Sequence, residues 1–360
     1  MPTLLPPVRY TPDLEDVQPG EGETVQGLNE TFDTIIETTA EDYGHAVRGV
    51  HAKSHGILRG VLRIRPDLPE ELAQGMFARG GDHPVYLRLS TNAGDILPDA
   101  VSLPRGLALK VLQVDGERLP GADGATQDFV MVNGTVFQAK TASEFHSSLK
   151  LLAGTTDRLE GTKKAMSSVL RGVNSALQTV GIQSPTVNAL GGAPQVDPLG
   201  ETYYSVTPFR YGDYVAKFSL APVSADLKAL CGETIAVDGR EDAIREIVRE
   251  EMRKVTATWE LRVQLLRDRA AQPVEDPTVE WSEDVSPFET VATVEVRPQD
   301  SWDEELVQEV NEGMRFSVWT GLAAHRPLGN INRARRDTYR HSAAFRQVFN
   351  KCPIHEPGAR

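Results

Sequence analysis

The sequence predicts an α+β protein: one antiparallel β-barrel or sandwich carrying added helices. Three observations point there. Two groups of four short runs, each rich in Val, Ile and Leu and bounded by Gly, Pro or Asp, read as strands. A long helical stretch separates the groups without a recognisable linker, and successive hairpins would remove sheet edges by closure. With 360 residues, 40% of them hydrophobic, the chain can bury a large core.

Residues 1–27 hold many Pro, Gly and acidic residues and little periodicity, so they read as an extended N-terminal arm. Residues 28–360 read as a single domain. From Asn29 the positions Phe32, Ile35, Ile36 and Thr39 fall at helical spacing, giving an amphipathic helix to about His45. The first four strands are ILRGVLRIR, VYLRLST, LALKVLQV and FVMVNGTVF. A helical region is predicted over 142–190, containing SEFHSSLKLLAG and KKAMSSVLRGVNSALQTV. Strands return in ETYYSVTPFRY, YVAKFSLAPV, ATWELRVQLLRD and TVATVEV, with the helix DAIREIVREEMRKV between the second and third. The acidic stretch EDPTVEWSEDVSP reads as a solvated loop.

Charge and cysteine usage narrow the function. A formal net charge of -13 provides no field for a phosphate backbone or an anionic membrane, which argues against a nucleic-acid partner. The prolines of MPTLLPPVRYTPDLED interrupt what a signal peptide needs as a continuous apolar segment. No later stretch reaches the roughly 20 apolar residues of a membrane span. Cys231 and Cys352, the two cysteines, suit a reducing compartment, so the expected location is cytoplasmic.

His51 lies in RGVHAKSHG, residues 48–56, among small residues at the junction of a helix and a strand. It is followed in order by LRLSTNAG, LPRGLALKVLQVDGE, QDFVMVNGTVF, YYSVTPFRYGDYVAKFSL and TWELRVQLL. Near the C-terminus comes NRARRDTYRHSAAFR, with Arg335, Tyr339 and Arg346 at Arg-x-x-x-Tyr spacing plus a further arginine. The ordered series resembles the haem catalases over roughly residues 30–350. The chain ends soon after the last of these motifs, as the small catalase-related haem proteins do.

The resemblance implies a catalase-type antiparallel β-barrel with helical insertions, binding haem b with ferric iron. Tyr339 would be the iron ligand, with Arg335 on the same helical face stabilising its phenolate; tyrosine ligation is the general rule for catalase haem. His51 would be the acid/base that moves the peroxide proton, and Asn133 the amide that hydrogen-bonds the peroxide. Arg48, Arg88 and Arg346 match the arginines that hold the haem propionates. Val50, Ser90, Phe137 and Phe145 match residues lining the haem pocket. The remaining histidines, His45, His55, His83, His146, His325, His341 and His355, have no metal-ligand spacing, and His325 reads as structural.

The implied activity is that of a peroxidase or catalase, taking hydrogen peroxide or an organic hydroperoxide as oxidant together with a reducing co-substrate that the sequence does not identify. Two alternatives stand beside it: a fatty-acid hydroperoxide isomerase resembling allene oxide synthases, and a non-catalytic barrel that carries haem or lipid. Val50 keeps the catalase-like residue type beside the distal histidine, which favours the first reading. A homo-oligomeric state is compatible with the resemblance.

Overall fold

The structure is a computed structural model that describes residues 4–153 and 192–357. Its centre is a closed antiparallel barrel of eight strands: β1 (Ser54–Ile64), β2 (Gly81–Thr91), β3 (Arg105–Leu112), β4 (Thr126–Val132), β5 (Tyr203–Tyr204), β7 (Tyr214–Pro222), β8 (Ala257–Leu265) and β9 (Phe288–Val296). The chain runs up and down through β1–β4. The barrel closes where β5 pairs with both β4 and β7, and where β9 returns to β1. Closure leaves no unpaired barrel edge, which is the physical reason so many consecutive hairpins end in a barrel. The two groups of four strands read from the sequence correspond to its two halves.

Local chemistry explains where elements differ from the sequence pattern. The run ETYYSVTPFRY divides into β5 and β6 (Phe209–Tyr211), because Val206 between them takes φ 53° and the chain turns there. FVMVNGTVF leaves the sheet at Val132, so Asn133 begins a loop. The first helix, α1 (Glu21–Tyr43), begins at Glu21 and not Asn29; Glu21 and Glu23 occupy its first turn, where carboxylates complement the helix dipole. Arg333 further fixes that turn through Glu21, with Nη2 2.7 Å from Oε1. Of the predicted helical region 142–190, α2 (Ala142–Ala153) is observed, and KKAMSSVLRGVNSALQTV lies outside the described residues.

Short α3 (Ala225–Ala229) and amphipathic α4 (Ala243–Met252) cover the barrel, α4 burying Ala243, Ile244, Val248 and Met252. A turn of helix, α5 (Glu304–Leu306), continues into a π-helix at Val307–Glu312. The long α6 (Asn330–Phe349) ends the described fold.

The barrel interior is filled. Phe77, Phe129, Phe209, Tyr211 and Phe218 stack within it, Phe129 and Phe218 having ring centroids 4.7 Å apart. His325 joins this core: its Nε2 accepts from the Met76 backbone N–H at 3.0 Å. Outside the sheet, α1 packs against α2 and α6. A second apolar cluster forms there, where Leu28, Phe32, Ile35 and Ile36 of α1 meet Ala142 and Leu149 of α2 and Ile331 and Ala334 of α6. Among the described residues, no helix is long and apolar enough to cross a membrane.

Candidate active site

His51 sits immediately before β1, where the backbone takes a positive φ of 54°. That conformation is unusual for any residue other than glycine and must be held by its surroundings. Arg88 of β2 helps to hold it, donating from Nη2 to the carbonyls of His51 at 2.9 Å and Ala52 at 3.2 Å. The imidazole is packed from the other side against β3, where a Cβ at Gly106 would collide with His51 Cε1. Its Nδ1 lies 3.1 Å from Ser90 Oγ, and the Ser90 hydroxyl donates to the Gly106 carbonyl at 3.4 Å. Burial, and then the positive charges of Arg88, Arg335 and Arg48, push the imidazole pKa down to about 3. His51 is therefore neutral at physiological pH, with one ring nitrogen fixed by the serine.

The last helix brings Tyr339 to the same cleft. Arg335, one turn earlier, donates to the phenolic oxygen from Nη2 at 2.8 Å and from Nε at 3.2 Å. Their spacing on one helical face makes this fork a local structure. A phenolic oxygen that accepts two N–H groups directs its remaining electron density elsewhere, as a donor to a hard cation.

Three more guanidinium groups converge at the cleft wall from three different segments: Arg48 before β1, Arg88 in β2 and Arg346 near the end of α6. Asn311 of the π-helix organises them. Its Oδ1 accepts from Arg48 Nη1 at 3.0 Å and Arg88 Nε at 3.1 Å, and its carbonyl accepts from Arg346 at 3.3 Å. The Met314 carbonyl accepts from Arg48 at 3.1 Å and Arg346 at 3.3 Å. The neighbouring carboxylate, Glu312, is engaged with His45 at 2.9 Å and with the Asn311 amide. Burial depresses the pKa of all three arginines, and repulsion by the neighbouring guanidinium groups adds to it at Arg48 and Arg88. A guanidinium does not lose its proton in practice, so the arrangement amounts to an unmet demand for anionic oxygen.

Arg48, Val50, His51, Arg88, Ser90, Tyr339 and Arg346 all line one cleft of about 740 Å³. A larger cavity of about 2580 Å³ shares Val50, His51 and Tyr339 with it and adds Arg335, Asn133, Phe137 and Phe145. The Phe137 and Phe145 rings lie 5.4 Å apart on its wall. Asn133 is heavily committed: its Oδ1 accepts from the Arg105 backbone N–H at 2.8 Å and its Nδ2 donates to Glu201 at 2.7 Å. One amide proton of Asn133 is left for another acceptor. Every residue singled out from the sequence thus borders one or both cavities.

Sequence reasoning missed two residues. Gly106 carried a signal, because glycine inside a strand often marks close approach by another group. Asn311, in VQEVNEGM, carried none; its importance arises from the chain segments that meet around it.

The fold is catalase-like. A fungal catalase structure is similar with a TM-score of 0.61 and 19% sequence identity over 90% of this chain and 65% of that one. Catalase A from Saccharomyces cerevisiae is similar with a TM-score of 0.62 and 18% identity over 90% of this chain and 67% of that one. The chain therefore spans about two thirds of the length of these catalases. No protein-family model and no curated protein sequence matches it.

Proposed function

We propose that the protein is a haem-dependent oxidoreductase that cleaves hydroperoxides, as a peroxidase or catalase. The observation that carries this reading is the joining, in one cleft, of a tyrosine oxygen held by an arginine fork, a neutral histidine and three arginines short of anionic partners. These residues fit haem b: Tyr339 would hold the ferric iron, and Arg48, Arg88 and Arg346 would hold the two propionates. When bound, haem would supply the electrons that break the O–O bond.

The chain's own residues supply positioning and proton transfer. His51, neutral and steadied through Nδ1 by Ser90, accepts the proton from one peroxide oxygen at its free nitrogen and returns it to the other as that oxygen leaves. The free amide proton of Asn133 is the candidate donor to the bound peroxide. Val50 and the apolar walls keep water scarce, so His51 stays uncharged and the proton is not lost to solvent.

An organic hydroperoxide is favoured as oxidant by the larger cavity, whose walls include Leu28, Phe32, Ile35, Val101, Phe137 and Phe145. Haem-loaded protein mixed in a stopped-flow spectrophotometer with hydrogen peroxide, a small alkyl hydroperoxide and a fatty-acid hydroperoxide should show rapid changes in the haem spectrum. Tyr339→Phe should lose haem or alter its ferric spectrum. Full haem content with an unchanged spectrum in Tyr339→Phe would remove the ligand assignment. A haem-loaded parent inert to all three peroxides would leave a non-catalytic barrel.

A further inference from the structure

Away from the cleft, Lys217 of β7 is buried without a hydrogen-bond partner. It is 4% exposed, and its Nζ meets no acceptor among the described residues. The amine instead faces the Trp281 ring, whose centroid lies 4.7 Å from Nζ. The amine borders a separate cavity of about 520 Å³, walled by Tyr204, Trp281 and Phe288 and rimmed by the exposed Glu280 and Glu283. Tyr204 and Phe288 pack with ring centroids 5.8 Å apart.

Thr135, Tyr204 and Val206 form part of both this cavity and the larger one beside His51. Val206 holds a φ of 53°, a strained conformation for a β-branched residue, and such strain is concentrated at functional sites.

The chemistry of the walls selects the ligand. Glutamates at the rim repel anions, and the aromatic walls favour an apolar group. At the base stands an amine that burial disfavours in its charged form. We propose that this cavity is a second ligand site, which takes a small aldehyde with an apolar tail and holds it as an imine on Lys217. Burial lowers the lysine pKa to about 7, against the weaker opposing influence of Glu280 and Asp276, so a large fraction of the amine is nucleophilic at neutral pH. The lone pair of Nζ attacks the carbonyl carbon, a carbon–nitrogen double bond forms, and the carbonyl oxygen leaves as water with both amine protons. No oxidant or reductant is consumed. The site is independent of haem.

Butanal and sodium cyanoborohydride at pH 7, applied to the folded full-length chain, would convert the imine into a stable butyl adduct located by peptide mass spectrometry. Lys217 should carry about tenfold more adduct than Lys140 or Lys254, because an ordinary lysine with a pKa near 10.4 is almost wholly protonated there. Lys140 and Lys254 have side chains 60% and 63% exposed, so access favours them. Unfolding should abolish the preference, and Lys217→Met should remove the dominant adduct while leaving the surface adducts in place. Labelling confined to exposed amines, or a preference for Lys217 that survives unfolding, would overturn the proposal.

Discussion

Two buried clusters of charge lie on the same barrel and are built in opposite ways. Lys110 of β3 is paired at 2.7 Å with Asp128 and at 2.6 Å with Glu356, while Arg315 Nε reaches Glu356 at 3.2 Å. The second oxygen of Asp128 accepts the Ser317 N–H at 2.9 Å, and Thr126 donates to Glu356 at 3.0 Å. Two cations face two carboxylates, with neutral donors completing the set. The cluster of Arg48, Arg88 and Arg346 instead relies on an asparagine side chain, the backbone carbonyls of His51, Ala52, Asn311 and Met314, and a carboxylate already engaged by His45. The first arrangement ties the segment around Glu356 to strands β3 and β4. The second remains uncompensated until an anion arrives, which is the character of a binding site.

The contrast is open to test, beginning with the balanced cluster. Lys110→Met leaves two buried carboxylates without their shared cation, and chemical denaturation should register a loss of about 3–5 kcal/mol. A loss below about 1 kcal/mol would mean that Asp128 and Glu356 are compensated in another way.

Next in size is the behaviour of His51, on which the unbalanced arginines act. His51→Ala should keep haem, yet slow the peroxide-induced spectral change per mole of bound haem by about 100-fold. Because the folded histidine pKa is depressed to about 3, the parental rate should show no titration of this group between pH 8 and 5. A near-parental rate in the variant would end the proton-shuttle role.

Arg346→Met should separate the clusters most directly. Stability of the haem-free protein should change by less than about 1 kcal/mol, since the substitution relieves repulsion as it removes two weak hydrogen bonds. Haem affinity should fall by about 1.5–3 kcal/mol, roughly 10- to 150-fold, through loss of a charge-assisted contact. Unaltered haem retention would show that the cluster serves something other than propionates.

The smallest effect concerns Glu201, a buried carboxyl whose pKa is raised to about 7 chiefly by burial. Its folded pKa exceeds its unfolded value, so its contribution is fully present below the unfolded pKa near 4.3 and disappears as pH rises through about 7. Melting temperatures of the parent should therefore fall relative to Glu201→Gln between pH 5 and 8. A constant difference across that range would mean that Glu201 is already ionised and that Arg105 and Asn133 outweigh its burial.

Much of the architecture was legible because strand and helix periodicities are local. The eight barrel strands appeared as short apolar runs, although Val206 and Val132 mark places where backbone geometry, invisible in composition, ends the pairing. The start of α1 was missed for a related reason: Glu21 helps to anchor that turn, and its partner Arg333 is distant in sequence.

By itself, the sequence determined the Arg335–Tyr339 pair, since four residues along a helix make one turn and place both side chains on one face. It also placed His51 among the small residues Gly49, Val50 and Ala52. Tertiary structure alone decided that Arg48, Arg88 and Arg346 meet around Asn311, that Asn133 is held by Glu201, and that Lys217 faces a cavity without an acceptor. Those outcomes depend on strand register and on crossings between distant segments, and convergence of that kind leaves no periodicity in the chain for a local reading to detect.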